Sequence, residues 1–259
     1  MSPADFAMQT DTDSITLVFL HGFLGSRHDF DRVIKKLPEK LQKHCVSLPL
    51  PGHHNSQPAD YRESVGYIRS RLIAENVTGD FILYGYATGG RIAICYAFQA
   101  RDPHLKGLFV ESASFGISDE ERKLREGKDL MWAAQFAFKP PEEIVRAWYS
   151  QPRFSGMTDQ QKETIIKKRK NQDFENLAQQ FSLTSVAKME NFRDRLGELP
   201  FDVVYLYGEL DEKFRLAADR EKRYSNFRAY PIAGASHNIH MFHPENVAEV
   251  IAGNIPGEN

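Results

Sequence analysis

Gly85–Gly90 (G-Y-A-T-G-G) is the segment of this sequence with the clearest chemical signature. It lies between a predicted strand and a predicted helix, which is where the nucleophile elbow G-x-S-x-G occurs. Such an elbow needs small residues because the turn is tight and its central residue is strained. The central residue here is Ala87, so the segment lacks a nucleophile. On these residues alone, a glycine-rich turn that binds a phosphate, or binds nothing, is the better interpretation.

Two later segments contain the remaining residue types of a Ser–His–Asp triad. Asp211 closes Gly208–Asp211 (G-E-L-D) and His237 closes Gly234–His237 (G-A-S-H), each after a predicted strand. The order of nucleophile position, Asp and His is the one found in α/β-hydrolases. Asp211 alone would serve equally well as a helix cap. Together the segments predict a triad in which Ala87 takes the nucleophile position.

A loop after the first predicted strand is placed to hold a developing oxyanion. The segment His21–Gly25 (H-G-F-L-G) stands where α/β-hydrolases supply one of two backbone N–H donors. The second donor is the N–H that follows the nucleophile position. We therefore predict an oxyanion hole formed by Phe23 and Thr88, and a structural role for His21.

Closely spaced histidines near the end of the chain raise the alternative of a metal site. His237, His240 and His243 have no Asp, Glu or Cys partner nearby at a ligand spacing. We therefore expect no metal at this site, and we expect no cofactor.

Composition and charge limit the range of functions. The 259 residues are 41% hydrophobic, enough to bury one large α/β domain or a core with an inserted cap. With 33 basic and 35 acidic residues, the formal net charge is −2. This balance gives no reason to expect nucleic acid or an anionic membrane as a partner. Recognition of an anionic ligand would depend on locally placed Arg or Lys.

Several features favour a cytoplasmic protein. Cys45 and Cys95 lie in apolar segments and are interpreted as reduced, buried thiols. Met1–Asp13 is polar and acidic, without the basic and apolar regions of a signal peptide. No apolar run approaches the roughly 20 residues of a membrane-spanning helix. We expect no membrane insertion, and a monomer or a weak homo-oligomer.

The predicted elements place the motifs in an α/β core. Short apolar strands, such as Thr16–Leu20, alternate with amphipathic helices, one of which would start at an Asp29 cap. From about 118 to 195 the sequence is charged and helix-like, and the strand pattern resumes at Phe201–Tyr207. Alternating strands and helices imply parallel pairing with helices on both faces. We predict a core formed by 1–117 and 196–259, with a helical cap inserted at 118–195.

The motifs resemble those of the 2-succinyl-6-hydroxy-2,4-cyclohexadiene-1-carboxylate (SHCHC) synthase family of menaquinone biosynthesis. The resemblance extends over nearly the whole chain, including the predicted cap. It implies an α/β-hydrolase fold with a mostly parallel central sheet, helices on both faces and an inserted helical cap. The matching segments are Leu20–Gly25, Leu50–His53, Gly85–Arg91, Arg125 with Asp129, Trp148–Pro152, Arg169, Gly208–Phe214 and His237–His240.

The resemblance also implies a reaction. It is a lyase reaction that eliminates pyruvate from 2-succinyl-5-enolpyruvyl-6-hydroxy-3-cyclohexene-1-carboxylate, a small molecule with three carboxylates. The family's triad positions correspond to Ala87, Asp211 and His237, so alanine stands where the family has serine and we expect impaired turnover. The family's substrate-binding positions correspond to Tyr86, Arg91, Arg125, Trp148 and Arg169.

Some alternatives remain open from the sequence. The cap arginines Arg125 and Arg169 would also suit a solvated basic face, and Trp148 would also suit packing within the cap. The family's D-L-P-G-H-G is Pro49–His54 (P-L-P-G-H-H) here, which leaves the role of that loop undefined. Two other functions fit the same fold. One is an esterase or carbon–carbon bond hydrolase, and the other is a binding protein without catalytic activity.

Overall fold

A single parallel sheet forms the centre of the molecule in the computed structural model, which describes residues 15–255. The first 14 residues, for which the sequence predicts no signal peptide, and the last four lie outside the described part. The strand order is β2-β1-β3-β4-β5-β6, and every pairing is parallel. The strands are β1 (Thr16–Leu20), β2 (Cys45–Leu48), β3 (Phe81–Tyr86), β4 (Leu105–Glu111), β5 (Val203–Gly208) and β6 (Phe227–Ile232).

Helices connect the strands in chain order. Those before β4 are α1 (Asp31–Ile34), α2 (Glu39–Gln42), α3 (Tyr61–Ala74) and α4 (Thr88–Gln99). Between β4 and β5 lie α5 (Asp119–Phe138), α6 (Pro141–Tyr149), α7 (Asp159–Arg169) and α8 (Phe174–Leu183). The last are α9 (Glu212–Glu221), α10 (Ile239–Phe242) and α11 (Pro244–Ala252). Short 3-10 turns occur at Pro152–Phe154, Val186–Lys188 and Leu196–Glu198.

The core has two apolar layers, one on each face of the sheet. In β1, Val18 and Leu20 belong to one buried cluster, whereas Leu17 and Phe19 belong to the other. The alternation follows from the strand, in which successive side chains point to opposite faces. Because helices cover both faces, the central strands β3 and β5 are buried along their whole length. The predicted α/β-hydrolase fold class is confirmed.

The helical segment between β4 and β5 has a buried cluster of its own. Phe136, Trp148 and Phe181 pack together with Phe23, which comes from the loop after β1. Helix α5 begins with a capping box between Ser118 and Glu121. The segment is therefore held on the carboxyl end of the sheet by aromatic contacts with that loop.

Two local expectations need correction. The Asp29 side chain does not cap α1, which begins at Asp31 without a side-chain cap. Asp29 instead pairs with Arg169 at 2.6 Å, a long-range contact that overrides the local capping signal. Cys45 is half-buried rather than buried, and Cys95 is buried; neither forms a disulfide. Within residues 15–255, no helix has the length and apolar character needed to cross a membrane.

Candidate active site

The loop between β3 and α4 has the backbone of a nucleophile elbow, with Ala87 at its apex. Ala87 has φ 48° and ψ −107°, a strained conformation for an L-residue. The tight turn depends on the neighbouring glycines, since a side chain there would clash with the backbone. A Cβ on Gly89 would lie 2.3 Å from the carbonyl oxygens of Leu20 and His21. A Cβ on Gly85 would lie 2.6 Å from the Gly89 oxygen. The chain thus keeps the strained turn of an elbow although its central side chain is a methyl group.

Asp211 and His237 meet beside this elbow. The Nδ1 atom of His237 lies 2.7 Å from Oδ2 of Asp211, and both side chains are buried. Burial lowers the pKa of His237, and the Asp211 carboxylate partly opposes this by favouring the imidazolium. A carboxylate on Nδ1 orients the ring and leaves Nε2 as the atom that exchanges a proton. His237 lines the same pocket as Ala87.

The loop after β1 and the start of α4 line the same pocket. Phe23 and Thr88 both contribute to its wall. Thr88 is the first residue of α4, so its N–H has no intrahelical acceptor. The Thr88 side chain is occupied elsewhere, since its Oγ1 accepts a hydrogen bond from Arg91 at 3.0 Å. His21 is fully buried beneath the loop, where burial lowers its pKa to about 4 and its Nε2 accepts the Leu50 N–H.

The three arginines named from the sequence also line the pocket, but two of them are paired. Arg169 contacts Asp29 at 2.6 Å, and both side chains are at most 8% exposed. Arg125 donates through Nε to Asp129 at 2.8 Å. Arg91 donates through Nε to the Tyr61 hydroxyl at 2.7 Å. Of the three, Arg91 is the one without a carboxylate partner among the described residues.

Tyr86 and Trp148 both line the pocket. Tyr86 packs on His237 with ring centroids 5.4 Å apart, and its hydroxyl donates to Asn238, next to that histidine. Trp148 belongs to the aromatic cluster of the helical segment and also lies under the guanidinium of Arg153 at 4.7 Å. Trp148 therefore packs within the helical segment, as one alternative from the sequence predicted, and also lies against a guanidinium.

Sequence reasoning missed two cations in this pocket, Arg153 and Lys213. Arg153 follows the Trp148–Pro152 segment directly, and Lys213 lies two residues after Asp211. Their position beside recognised motifs was a usable signal. Five cationic side chains thus line the pocket, whereas Asp29 is the one carboxylate among its described lining residues.

Glu111, at the end of β4, was also missed. Its carboxylate is fully buried and accepts hydrogen bonds from the N–H groups of Ile239 and His240 at 2.9 and 3.1 Å. It also lies 2.8 Å from Nδ1 of His240 and 2.7 Å from the Tyr84 hydroxyl. A charged residue at the carboxyl end of an apolar strand of a parallel sheet was the signal, because sites form at that end of such strands.

Comparisons with known proteins give the family. Residues 17–250 match the model of the alpha/beta hydrolase family. The putative SHCHC synthase of Haemophilus influenzae is 34% identical over 235 residues, which cover 88% of this chain and 92% of the relative. The SHCHC synthase of Salmonella typhimurium is 35% identical over 247 residues, 92% of each chain. The chain belongs to the SHCHC synthase family.

Solved structures agree with the SHCHC synthase assignment. MenH from S. aureus superposes with a TM-score of 0.84 and 26% identity, covering 95% of this chain and 94% of that one. A thermophilic esterase from Thermogutta terrifontis, solved with malate bound, gives 0.77 at 19% identity over 92% and 88% of the two chains. The esterase likeness shows the fold alone. The SHCHC synthase resemblance predicted from the sequence is confirmed.

Proposed function

We propose that this chain binds 2-succinyl-5-enolpyruvyl-6-hydroxy-3-cyclohexene-1-carboxylate in a pocket built to eliminate pyruvate from it, and that Ala87 makes turnover slow. The observation that carries the proposal is the buried His237–Asp211 pair at 2.7 Å, beside a strained elbow and within a cationic pocket. Membership of the SHCHC synthase family supplies the substrate.

The elimination needs a base and a site for negative charge. A proton leaves the ring carbon next to the succinyl ketone, the ring carbon–oxygen bond to the enolpyruvyl group breaks, and the released enolpyruvate takes up a proton to become pyruvate. With serine at position 87, His237 would activate the hydroxyl and Asp211 would fix the imidazole tautomer. The N–H groups of Phe23 and Thr88 would hold the enolate oxygen.

Ala87 removes one part of this arrangement. The oxyanion loop, the histidine and its carboxylate remain, but no hydroxyl is available to pass the proton to His237. Loss of one member of a cooperating triad costs on the order of a million-fold in turnover in other enzymes. Substrate binding does not depend on the missing hydroxyl, so affinity should survive.

The positive charge of the pocket suits a substrate with three carboxylates. Each arginine fork can hold a carboxylate through two hydrogen bonds, and such charge-assisted bonds are about twice as strong as neutral ones. These cations come from both parts of the chain. Arg91 lies on the core helix α4, and Arg153 lies in the helical segment between β4 and β5. We propose that residues 118–195 act as a cap that completes the site over the core formed by 1–117 and 196–259.

Calorimetry with the native chain and the intact substrate tests the proposal. We expect a saturable complex with slow or no pyruvate release, because binding and turnover depend on different groups. Absence of binding would refute the proposed substrate.

The Ala87→Ser variant, assayed with activated esters and with the substrate, separates the lyase from an esterase. Fast ester hydrolysis without pyruvate release would favour the esterase.

A further inference from the structure

Two neighbouring cation–phenylalanine pairs enclose His237. Phe154 packs edge-on against the imidazole with centroids 5.5 Å apart, and Phe214 stacks on it at 5.1 Å. The residue before each phenylalanine is a cation, Arg153 or Lys213, and both line the pocket. The two pairs come from elements far apart in sequence, the 3-10 turn at Pro152–Phe154 and α9. The fold therefore brings two positive charges to the edge of the same histidine.

The Arg153 turn is docked firmly on the histidine loop. The His237 N–H donates to the carbonyl oxygen of Arg153 at 3.3 Å. Gly156 lies so close to Ser236 that an added Cβ would approach its side chain to 2.9 Å. The guanidinium of Arg153 is fixed in turn by Gln151, whose Oε1 it contacts at 2.6 Å, and by the Trp148 ring beneath it. This group is held in place before any ligand arrives.

Neither cation forms an ion pair within residues 15–255, although the nearby Asp211 carboxylate favours the charged form of both. The contacts of Arg153 are the Gln151 amide and two aromatic rings, and the contact of the Lys213 ammonium is the ring of Phe214. Arg125 and Arg169, by contrast, are each paired with an aspartate. Like charges that outnumber the nearby carboxylates raise the free energy of the empty pocket, and an anion relieves that repulsion.

We propose that Arg153 and Lys213 form a carboxylate subsite beside His237 that holds one carboxylate of the substrate. This subsite adds to the arginines named from the family and rests on the proposed function. A carboxylate suits this pair better than a neutral oxygen, because its negative charge strengthens the bonds from both cations and its two oxygens can accept from the guanidinium fork and the ammonium.

The titration of Lys213 is consistent with an unfilled anion site. Lys213 is exposed, yet desolvation by the surrounding protein and repulsion from Arg125, Arg153 and Arg91 lower the pKa of its ammonium to about 8. The Asp211 carboxylate acts in the opposite direction and only partly offsets this shift. A bound carboxylate favours the ammonium and raises this pKa. Binding at pH 8 to 9 should therefore take up a proton from the buffer.

Calorimetry with the intact substrate tests the subsite in the native chain and in Arg153→Gln and Lys213→Gln. We expect each variant to bind roughly 10- to 100-fold more weakly, the effect of losing one charged hydrogen-bond partner. Arg215→Gln on α9 is the matched control, because Arg215 is exposed and contacts Glu212 and Asp219. We expect it to bind as the native chain does. Thermal unfolding of each variant shows that it is folded.

A second readout separates binding from mere structural support. Lys213→Arg keeps the charge but does not titrate near neutral pH, so it should retain affinity and lose the proton uptake at pH 8 to 9. Equal affinity of Arg153→Gln, Lys213→Gln and the native chain would overturn the subsite and leave the proposed function standing. Failure of the native chain to bind would refute the proposed function, and the subsite with it.

Discussion

Removal of the Glu111 carboxylate should both destabilise the protein and release the loop that carries His237. The carboxylate accepts from the N–H groups of Ile239 and His240, from the His240 ring and from the Tyr84 hydroxyl. Glu111→Ala leaves these four buried groups without an acceptor. At about 1–3 kcal/mol for each unsatisfied group, the loss is at least about 4 kcal/mol. This is a large part of the total stability of about 5–15 kcal/mol that is usual for a domain.

The Glu111→Gln variant is the matched comparison. Its amide oxygen can keep the three contacts that Oε1 makes, and its amide nitrogen can donate to the Tyr84 hydroxyl oxygen. We expect the free energy of unfolding of Glu111→Gln to fall by about 1–2 kcal/mol, since one hydrogen bond weakens and none of the loop's donors is left unpaired. The two variants therefore differ in loop support and share the loss of the carboxylate charge.

Urea unfolding measures both variants. The midpoint should fall much further for Glu111→Ala than for Glu111→Gln at an unchanged m-value. In the Ala87→Ser background, pyruvate release should follow the same order, because the Glu111 carboxylate fixes the backbone two and three residues after His237. A loss below about 1 kcal/mol for Glu111→Ala, or equal losses for both variants, would refute this reasoning.

Three further predictions follow from the buried charges. Asp29→Asn leaves the Arg169 guanidinium without its ion partner and should cost about 3–5 kcal/mol, seen as a fall in Tm of about 6–20 °C. Burial lowers the pKa of His21 to about 4, so the unfolded chain binds the proton first as the pH falls. Roughly 3 kcal/mol of stability present above pH 6.5 should be lost by pH 4, and His21→Gln should flatten that loss. Asp211→Asn should lower the pKa of His237 further, which an NMR titration of the ring would detect.

Each of these has a contrary outcome. An unchanged Tm in Asp29→Asn would show that the ion pair with Arg169 is not formed in solution. Lys36→Gln is its control, because the Lys36–Glu245 pair is exposed and its loss should leave Tm unchanged. If the stability of His21→Gln fell with pH as steeply as that of the native chain, other groups would be responsible for the loss of stability in acid. A rise in the pKa of His237 on Asp211→Asn would contradict the assigned pairing.

Local sequence patterns predicted the core well for identifiable reasons. The predicted strand Thr16–Leu20 has the bounds of β1, because a short run of β-branched and aromatic residues that ends close to a glycine is typical of a strand. Pro141–Tyr149 likewise matches α6, where proline suits the first helical turn. The helix predicted from an Asp29 cap forms, but it begins at Asp31 without that cap. The Asp29 side chain instead binds Arg169, 140 residues away, and no local pattern carries that information.

The site was predicted in kind more than in detail. The elbow, Asp211 and His237 follow from motif order. In the structure Ala87 and His237 line one pocket, and Asp211 contacts the His237 ring. The sequence does not show which charged side chains face that pocket without an ion-pair partner. The partner of Arg125 lies one helical turn away at Asp129, a spacing that the sequence shows. That Arg153 reaches the same histidine as Lys213 depends on the docking of the helical segment, which is a tertiary property.

Pyruvate release by the Ala87→Ser variant is the most direct test of the central claim, that a complete elimination site lacks a single hydroxyl. The native chain and the variant are compared with the same substrate, with Ala87→Gly as the control that changes position 87 without adding a hydroxyl. We predict that Ala87→Ser raises turnover by orders of magnitude, up to about a million-fold, with little change in affinity. Turnover that stays at the native level in a folded, substrate-binding Ala87→Ser protein would contradict the account.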